Sequence, residues 1–524
     1  MKSKKKLYLL SIFTIMFLIF LRIDYRDKVP QSFNSGDDAN YYFHNKTISY
    51  DFDFDYSNQI STTNDMYLNQ EKNDYVPIHP VGSAFLTFIF MLFGKYIERY
   101  LSIQDFHYFL YSLSGIYFLF LSLKLLSISN FRNRVENKIT VAIFFLGSGL
   151  LYFSFERFSM THVYEVFSVI LLFYLSYLLI LGIKYNKFII FLLGFLSIFL
   201  VNIRFVNIFL PLTPFFYLLL NDEKNITKNL LKNLFYYVGL LTGLTVNLII
   251  TKALYGFYTL TPIKIYDSSG GVLANFYNLN IENKNILEII NFLFQSFLKI
   301  LIGFEFGIFF ISPVIFFSLF TFLKILKSKE YMLLAITLFI FAIPFGIVII
   351  WQTTASSFGF RYLYVLIPYS ILLIFTFYKN KIVLKIIFIL SVFSFLLYLF
   401  FESTDQTSLR EGINIFGKYH RYSSPNFIPE AVKSFFILNS YLKIIFTSFF
   451  GVIILKFGIL IFSIEKIETL IEYYGYLNED VIELINFTNS ITFIHFLSII
   501  VLIIISFRLF YSSTINESHA ENYL

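Results

Sequence analysis

Residues 1–23 read MKSKKKLYLLSIFTIMFLIFLRI, a lysine cluster followed by a mainly apolar run from Leu7 to Ile23. A run of this length can cross the hydrocarbon core of a bilayer as a helix. Basic residues favour the cytoplasmic side of a span, so we expect a cytoplasmic amino terminus. No small-residue cleavage pattern follows, as it would in a signal peptide. The stretch therefore predicts an uncleaved first span that delivers residues 24–80 to the extracytoplasmic side.

The composition of the whole chain is that of a membrane protein. Of its 524 residues, 57% are hydrophobic and only 14% are charged, which is too apolar for a soluble enzyme with a polar surface. There is no cysteine, so disulfides, thiolate nucleophiles and cysteine-bound metals are excluded. The formal charge is +7, but the lysines lie between apolar runs, where they set membrane orientation. We therefore expect no nucleic-acid partner.

Apolar runs recur along the chain, and their basic flanks all fall on one predicted side. The predicted fold is an all-α polytopic membrane protein with about 13 transmembrane helices. Interfacial helices are expected in the first large extracytoplasmic loop, including Val81 to Gly94, which is short for a crossing. The predicted spans are residues 7–23, 108–128, 140–155, 163–183, 188–201, 205–220, 235–250, 307–323, 331–350, 362–378, 388–401, 439–463 and 491–510.

Two adjacent carboxylates, Asp37 and Asp38, lie in the loop that follows the first span. Gly36 before them permits a tight turn, and Tyr41 after them suits a membrane interface. Neighbouring carboxylates near a low-dielectric boundary are expected to have raised pKa values, which suits a general base. Alternatively, the two aspartates could belong to a solvated loop or cap the N-terminus of a helix.

Cationic and imidazole side chains are predicted on the same outer face. His79 lies where the loop meets the interfacial helix, Arg204 lies at a turn between two spans, and Arg157 and His162 lie at another outer turn. A charge at the bilayer centre costs roughly 2.5 to 3.5 kcal/mol, so such groups normally face the protein interior. Extension of the side chains toward lipid head groups is the alternative.

A third outer segment runs from Trp351, the only tryptophan, to Arg361. An arginine at the start of a helix can hold a phosphate beside free backbone N–H groups, although interfacial anchoring also explains Trp351 and Arg361. The acidic and aromatic stretch 51–56 could bind a divalent cation or a sugar, or form a surface segment without a ligand. No motif calls for a cofactor, and none assigns a metal.

Taken in order, these motifs resemble the bacterial GT-C glycosyltransferases, which include protein mannosyltransferases and the aminoarabinose transferases of lipid A. The resemblance covers residues 1–400, implying a membrane catalytic domain there; residues 401–524 would contain an outer loop, further spans and a cytoplasmic helical insert of unassigned function. The stretches that carry it are Gly36-Asp37-Asp38-Ala39-Asn40-Tyr41, His79-Pro80-Val81-Gly82, residues 157–165, Asn202-Ile203-Arg204, residues 307–313 and residues 351–368.

The resemblance implies an inverting transfer of a sugar from a polyprenyl-phosphate carrier to a lipid, glycan or protein acceptor at the outer face of the bacterial plasma membrane. Asp37 would be the catalytic carboxylate, with Asp38 beside it. The implied substrate or phosphate ligands are His79, Arg157, His162, Arg204, Trp351 and Arg361. Two alternatives stay open: a transporter or flippase of lipid-linked glycans, and an O-antigen polymerase or ligase.

Overall fold

The computed structural model describes most of the chain, and most of the described residues are in helices. The described residues are 2–21, 37–60, 66–129, 138–181, 187–260, 285–351, 358–378, 380–400, 427–437, 448–461 and 491–514, with a few single positions between them. The helices of the first half are α1 Lys2–Phe20, α2 Asp37–Tyr50, α3 Gly82–Leu101, α4 Phe106–Ser129, α5 Lys138–Leu146, α6 Leu150–Phe155, α7 His162–Ile180, α8 Lys187–Phe199, α9 Thr213–Leu220, α10 Lys224–Leu231 and α11 Leu234–Tyr255.

The second half continues the helical pattern. Its helices are α12 Ile286–Ile302, α13 Ile308–Ile311, α14 Pro313–Leu319, α15 Thr321–Lys327, α16 Tyr331–Trp351, α17 Ile367–Phe377, α18 Lys381–Leu399, α19 Phe427–Ser434, α20 Phe449–Ile461 and α21 Phe493–Thr514. Short 3₁₀ helices cover Leu200–Ile203, Phe205–Asn207, Leu210–Leu212 and Arg361–Leu366.

Several helices have the length and composition of membrane spans, as a multi-pass membrane protein requires. Within the described residues six helices meet both conditions: Phe106–Ser129, His162–Ile180, Leu234–Tyr255, Tyr331–Ile349, Lys381–Leu399 and Phe493–Ser512. The shorter apolar helical segments are Leu10–Phe20, Lys187–Ile203, Phe205–Leu220, Arg361–Phe377 and Phe449–Ile459. The number of 13 crossings stays a prediction.

Two predicted spans are not continuous helices. Residues 140–155 are divided between α5, which ends at Leu146, and α6, which begins after Gly149, a residue with a φ of +81°. Residues 307–323 are divided into α13, α14 and α15, with a break before Pro313, a residue that has no backbone N–H to donate. Hydropathy alone predicted single helices here because it does not register backbone breaks.

The loop between α2 and α3 contains a β-hairpin, an element that the predicted interfacial helices did not include. Strands β1 (Met66–Asn69) and β2 (Asp74–Pro77) pair antiparallel, with Met66 opposite Pro77. The Asn69 side chain donates to the backbone carbonyl of Leu254 at 2.9 Å and so ties the hairpin to α11. The four-residue strands are too short to give a clear alternating sequence pattern.

Residues on both sides of position 400 belong to the same apolar core. The N–H of Phe449 donates to the carbonyl of Leu21 at 2.7 Å, and the ring of His495 in α21 lies 4.6 Å from that of Phe109 in α4. Most of the predicted insert 465–485 and most of the loops 251–288 and 402–438 lie outside the described residues. Within the first loop, α3 has 20 residues, longer than the 14 residues from Val81 to Gly94.

Candidate functional site

Helix α2 carries the acidic pair in its first turn, where negative charge interacts favourably with the helix dipole. Its polar side chains are buried because they bind the segment before α3. The Asn40 side chain accepts the N–H of Ile78 at 2.8 Å, and His44 Nε2 contacts the carbonyl of His79 at 2.7 Å. Asp37, Asn40 and His44 lie on one helix face, at spacings of three and four residues. This face therefore holds His79 against the start of α2.

Asp37 is held between two cationic or potentially cationic groups. Its Oδ1 lies 3.0 Å from His79 Nε2, and its Oδ2 lies 3.1 Å from Arg361 Nη1. The ring of Tyr41 stacks on that of His79, with centroids 5.2 Å apart. The Asp37 side chain keeps 31% of its surface exposed, so its carboxylate is accessible.

The pKa of Asp37 is lowered, whereas a raised pKa was expected for an acidic pair. Burial raises this pKa, but the charges of His79 and Arg361, with the hydrogen bond from His79, together hold it well below its usual range. The two carboxylates do not share one site, since each has its own cationic partner. Asp37 is therefore ionised at neutral pH.

Asp38 differs from its neighbour in both burial and partners. Its side chain is only 6% exposed, and its two oxygens bind the guanidinium of Arg157 and the hydroxyl of Ser159. Arg157 is itself 4% exposed. The pair joins α2 to the turn before α7, so neither Asp38 nor Arg157 is open to a ligand.

A second buried carboxylate, Glu165 in α7, organises the remaining predicted residues. Arg204 Nη1 lies 3.3 Å from both of its oxygens, His162 Nδ1 lies 3.0 Å from Oε2, and the Asn207 side chain donates to Oε1 at 2.9 Å. His162 and Glu165 are each 1% exposed. Arg204 is therefore fixed by its carboxylate, and His162 is enclosed.

Tyr362 connects the two arginines that border the site. The guanidinium carbon of Arg204 lies 4.1 Å from the Tyr362 ring centroid, and that of Arg361 lies 5.4 Å from it. Each arginine uses Nη1 for its carboxylate. Within the described part of the chain, the other nitrogens of Arg204 and Arg361 have no hydrogen-bonding acceptor. These donors are available to an anionic ligand.

Two glycines allow close packing of the segments that carry these groups. A Cβ on Gly82, at the start of α3, would lie 2.4 Å from the carbonyl carbon of Asn202, two residues before Arg204. Gly359, two residues before Arg361, has a φ of +78°, and a Cβ there would lie 2.3 Å from the hydroxyl of Tyr364. Gly82 therefore allows the start of α3 to pack against the backbone at Asn202, and Gly359 allows the turn before Arg361 to close on Tyr364.

A cavity of about 350 Å³ is lined by residues of α12, by Val348 and by Phe360. Phe360, the neighbour of Arg361, forms part of its wall, and α12 contributes polar groups from Gln295, Ser296 and Lys299. The apolar side chains of α12 such as Leu287 and Phe294 are instead exposed. Helix α12 thus has polar groups toward the cavity and apolar groups outward, as a lipid-facing helix would.

The structure brings Asp37, His79 and Arg361 into direct contact and places Arg204 beside them through Tyr362. Trp351 is the last residue of α16; its side chain and residues 352–357 lie outside the described part of the chain.

Several contacts at the site were not predicted. Ser159, Glu165, Asn207 and Tyr362 were absent from the predicted set of ligands, although Glu165 lies three residues after His162, where one helix face brings their side chains together. The acidic stretch 51–56 forms a turn rather than an extended segment, in which the Asp55 carboxylate accepts the N–H of Ser57 at 3.0 Å.

Comparison with known proteins yields no match to this chain among protein-family models, curated proteins or solved structures.

Proposed function

We propose that this membrane protein is a GT-C-type glycosyltransferase that moves a sugar from a polyprenyl-phosphate carrier to a lipid, glycan or protein acceptor. The observation that carries the proposal is the accessible carboxylate of Asp37, 3.0 Å from His79 and 3.1 Å from Arg361. A base beside donors for an anionic leaving group is the pair of functions that such a transfer needs. We propose that the reaction takes place at the extracytoplasmic face of a bacterial plasma membrane.

In the proposed reaction, the acceptor hydroxyl oxygen attacks the anomeric carbon while its proton passes to Asp37. The bond from the anomeric carbon to the phosphate oxygen breaks, and its electron pair stays on the phosphate. The phosphate gains one negative charge, which the unoccupied N–H groups of Arg204 and Arg361 can stabilise. The configuration at the anomeric carbon inverts.

Binding of the lipid phosphate also explains how a carboxylate with a low pKa can act as a base. A phosphate that draws Arg361 and His79 toward itself weakens the two contacts that lower the pKa of Asp37. The carboxylate then becomes a stronger base at the moment when substrate is present. Among the predicted ligands, this mechanism uses His79, Arg204 and Arg361 and assigns the buried Arg157 and His162 a structural role.

The first test measures the lipid carrier alone, because the sugar and acceptor need not be known. We expect the purified protein in lipid nanodiscs to bind undecaprenyl phosphate, and Arg361→Ala to weaken this binding at least tenfold. Arg99→Ala, which removes an exposed arginine at the end of α3, is the matched control and should bind normally. Equal binding by all three proteins would contradict the proposed phosphate site.

The second test measures transfer. With undecaprenyl phosphate carrying radiolabelled hexoses or pentoses, and a glycolipid and peptidoglycan extract as acceptor, we expect release of undecaprenyl phosphate together with labelled product. Asp37→Asn should lower this rate by about 10²- to 10⁴-fold, the usual contribution of a general base. Asp53→Asn, an exposed carboxylate of the same loop, should leave the rate unchanged. Full activity of Asp37→Asn would exclude it as the base.

The labelled lipid-linked sugar also distinguishes an enzyme from a flippase. A flippase would carry the labelled lipid across the membrane of a proteoliposome with the sugar still attached. An enzyme releases the carrier in detergent solution as well, where no second side of a membrane exists.

A further inference from the structure

A second group of ionisable side chains lies at the corner between α3 and α4. Glu98 lies in the last turn of α3, Asp105 in the connection, and His107 in the first turn of α4. One donor atom from each lies within 4.8 Å of the other two, and this is the one such group found in the described part of the chain. Ser102 and Asp105 have φ values of +52° and +56°, which turn the connection back so that the three side chains meet.

The donor atoms of this group contact one another and a few neighbouring groups, among them the backbone N–H of His107, which donates to Glu98 Oε2 at 3.2 Å. His107 Nδ1 lies 2.5 Å from Glu98 Oε2, and His107 Nε2 lies 3.1 Å from the hydroxyl of the buried Tyr42. The Tyr42 contact occupies the outer nitrogen in the way that an outer-shell group orients a metal-bound histidine. No lysine or arginine of the described residues forms an ion pair with Glu98 or Asp105. Lys46 attracts the Asp105 carboxylate without forming an ion pair with it, so the group presents two carboxylates and one imidazole.

We propose that Glu98, Asp105 and His107 bind a divalent transition-metal ion of the Zn²⁺ type. An imidazole nitrogen with two carboxylate oxygens suits Zn²⁺, whereas Ca²⁺ and Mg²⁺ favour sets made of oxygen only. Glu98 is 28% exposed and Asp105 is half-buried, which leaves room for water to complete the coordination.

Ligand geometry requires one local adjustment. With metal distances of about 2.0 to 2.2 Å, tetrahedral ligand atoms lie about 3.4 Å apart. Glu98 therefore rotates slightly away from His107 when the ion binds. The ion joins the end of α3 to the start of α4, and through Tyr42 it stabilises α2, the helix that begins with Asp37.

The test is metal binding to the purified full chain with any affinity tag removed. We expect calorimetry with ZnCl₂ to give one ion per chain, and the apparent melting temperature to rise with Zn²⁺ but not with equal CaCl₂ or MgCl₂. Asp105→Asn and Glu98→Gln should each weaken Zn²⁺ binding at least tenfold. Asparagine tolerates positive φ, so the first variant preserves the corner. Glu71→Gln, an exposed carboxylate of the hairpin turn, is the matched control and should bind Zn²⁺ normally.

Two outcomes would overturn the proposal. In the first, the wild type does not bind Zn²⁺, or Asp105→Asn and Glu98→Gln bind it as tightly as the wild type does. In the second, the wild type binds Ca²⁺ as tightly as Zn²⁺. Co²⁺ added to the wild type gives a readout that does not depend on the folding of a variant. Visible absorption bands that Zn²⁺ abolishes are expected, and their absence counts against the site. None of these readouts depends on glycosyl transfer.

Discussion

The buried ion pair between Asp38 and Arg157 should stabilise the fold, whereas Asp37 should act in function. Asp38→Asn removes one charge and leaves the guanidinium of Arg157, 4% exposed, beside a neutral amide. Breaking a buried pair from one side typically costs about 3 to 5 kcal/mol because the remaining charge stays out of water. Since whole domains are stable by about 5 to 15 kcal/mol, this loss should be readily measured.

The matched control is an exposed ion pair between the hairpin turn and α11. Lys252 and Glu71 lie 2.5 Å apart, but their side chains are 35% and 59% exposed. Exposed pairs contribute about 0 to 1 kcal/mol, so Glu71→Gln should change stability by no more than that. The comparison separates the effect of burial from that of charge pairing.

Equilibrium unfolding in detergent, followed by far-ultraviolet circular dichroism, measures the difference in free energy. The double variant Asp38→Asn with Arg157→Gln should lose less than the sum of the two single losses, because it leaves no uncompensated buried charge. A cost below 1 kcal/mol for Asp38→Asn, equal to that of Glu71→Gln, would refute the structural role. Asp37→Asn should also lose some stability, because the contacts with His79 and Arg361 favour the ionised form of Asp37 in the folded protein. This loss should be smaller than that of Asp38→Asn, because the Asp37 side chain is 31% exposed.

Three further outcomes are expected. Burial lowers the pKa of His44 to about 3, so between about pH 6.5 and pH 3 the unfolded chain binds a proton at this residue and the folded chain does not. The free energy of unfolding should therefore fall by about 2 kcal/mol as the pH is lowered to 5. His44→Gln should make this free energy less dependent on pH. Gly82→Ala should lower the apparent melting temperature, because the new Cβ would clash with the backbone of Asn202 and reduce stability by about 1 to 3 kcal/mol. Gly346→Ala is the control and should leave the melting temperature unchanged, because a Cβ there meets nothing within 4 Å. Arg204→Lys should weaken undecaprenyl phosphate binding about tenfold through loss of the planar contact with Tyr362; unchanged affinity would contradict a role for that contact.

The long apolar helices were largely predictable from hydropathy. Predicted spans 108–128 and 331–350 correspond to α4, Phe106–Ser129, and α16, Tyr331–Trp351. Such runs specify helices because each backbone group is satisfied inside its own segment, whatever the rest of the chain does. The breaks at Gly149 and Pro313 were missed because they depend on local backbone conformation and tertiary contacts rather than on hydrophobicity.

The different environments of the two adjacent acids were not predictable from their sequence. Asp37 and Asp38 are chemically identical neighbours, and the sequence predicted a coupled pair with raised pKa values. In the structure, successive side chains on a helix point about 100° apart, so one carboxylate reaches His79 and Arg361 and the other reaches Arg157 and Ser159. Their partners come from segments up to several hundred residues away.

The sequence by itself determined that this is a helical, multi-pass membrane protein without cysteine chemistry, because composition and hydropathy are properties of short stretches. It also indicated which polar residues were worth attention. Only the tertiary structure decided that Asp37 is accessible while Asp38 is enclosed, and that Arg204 and Arg361 meet at Tyr362. The physical reason is that charge, burial and hydrogen bonding at a site depend on groups that are distant in the chain and become neighbours only when the helices pack.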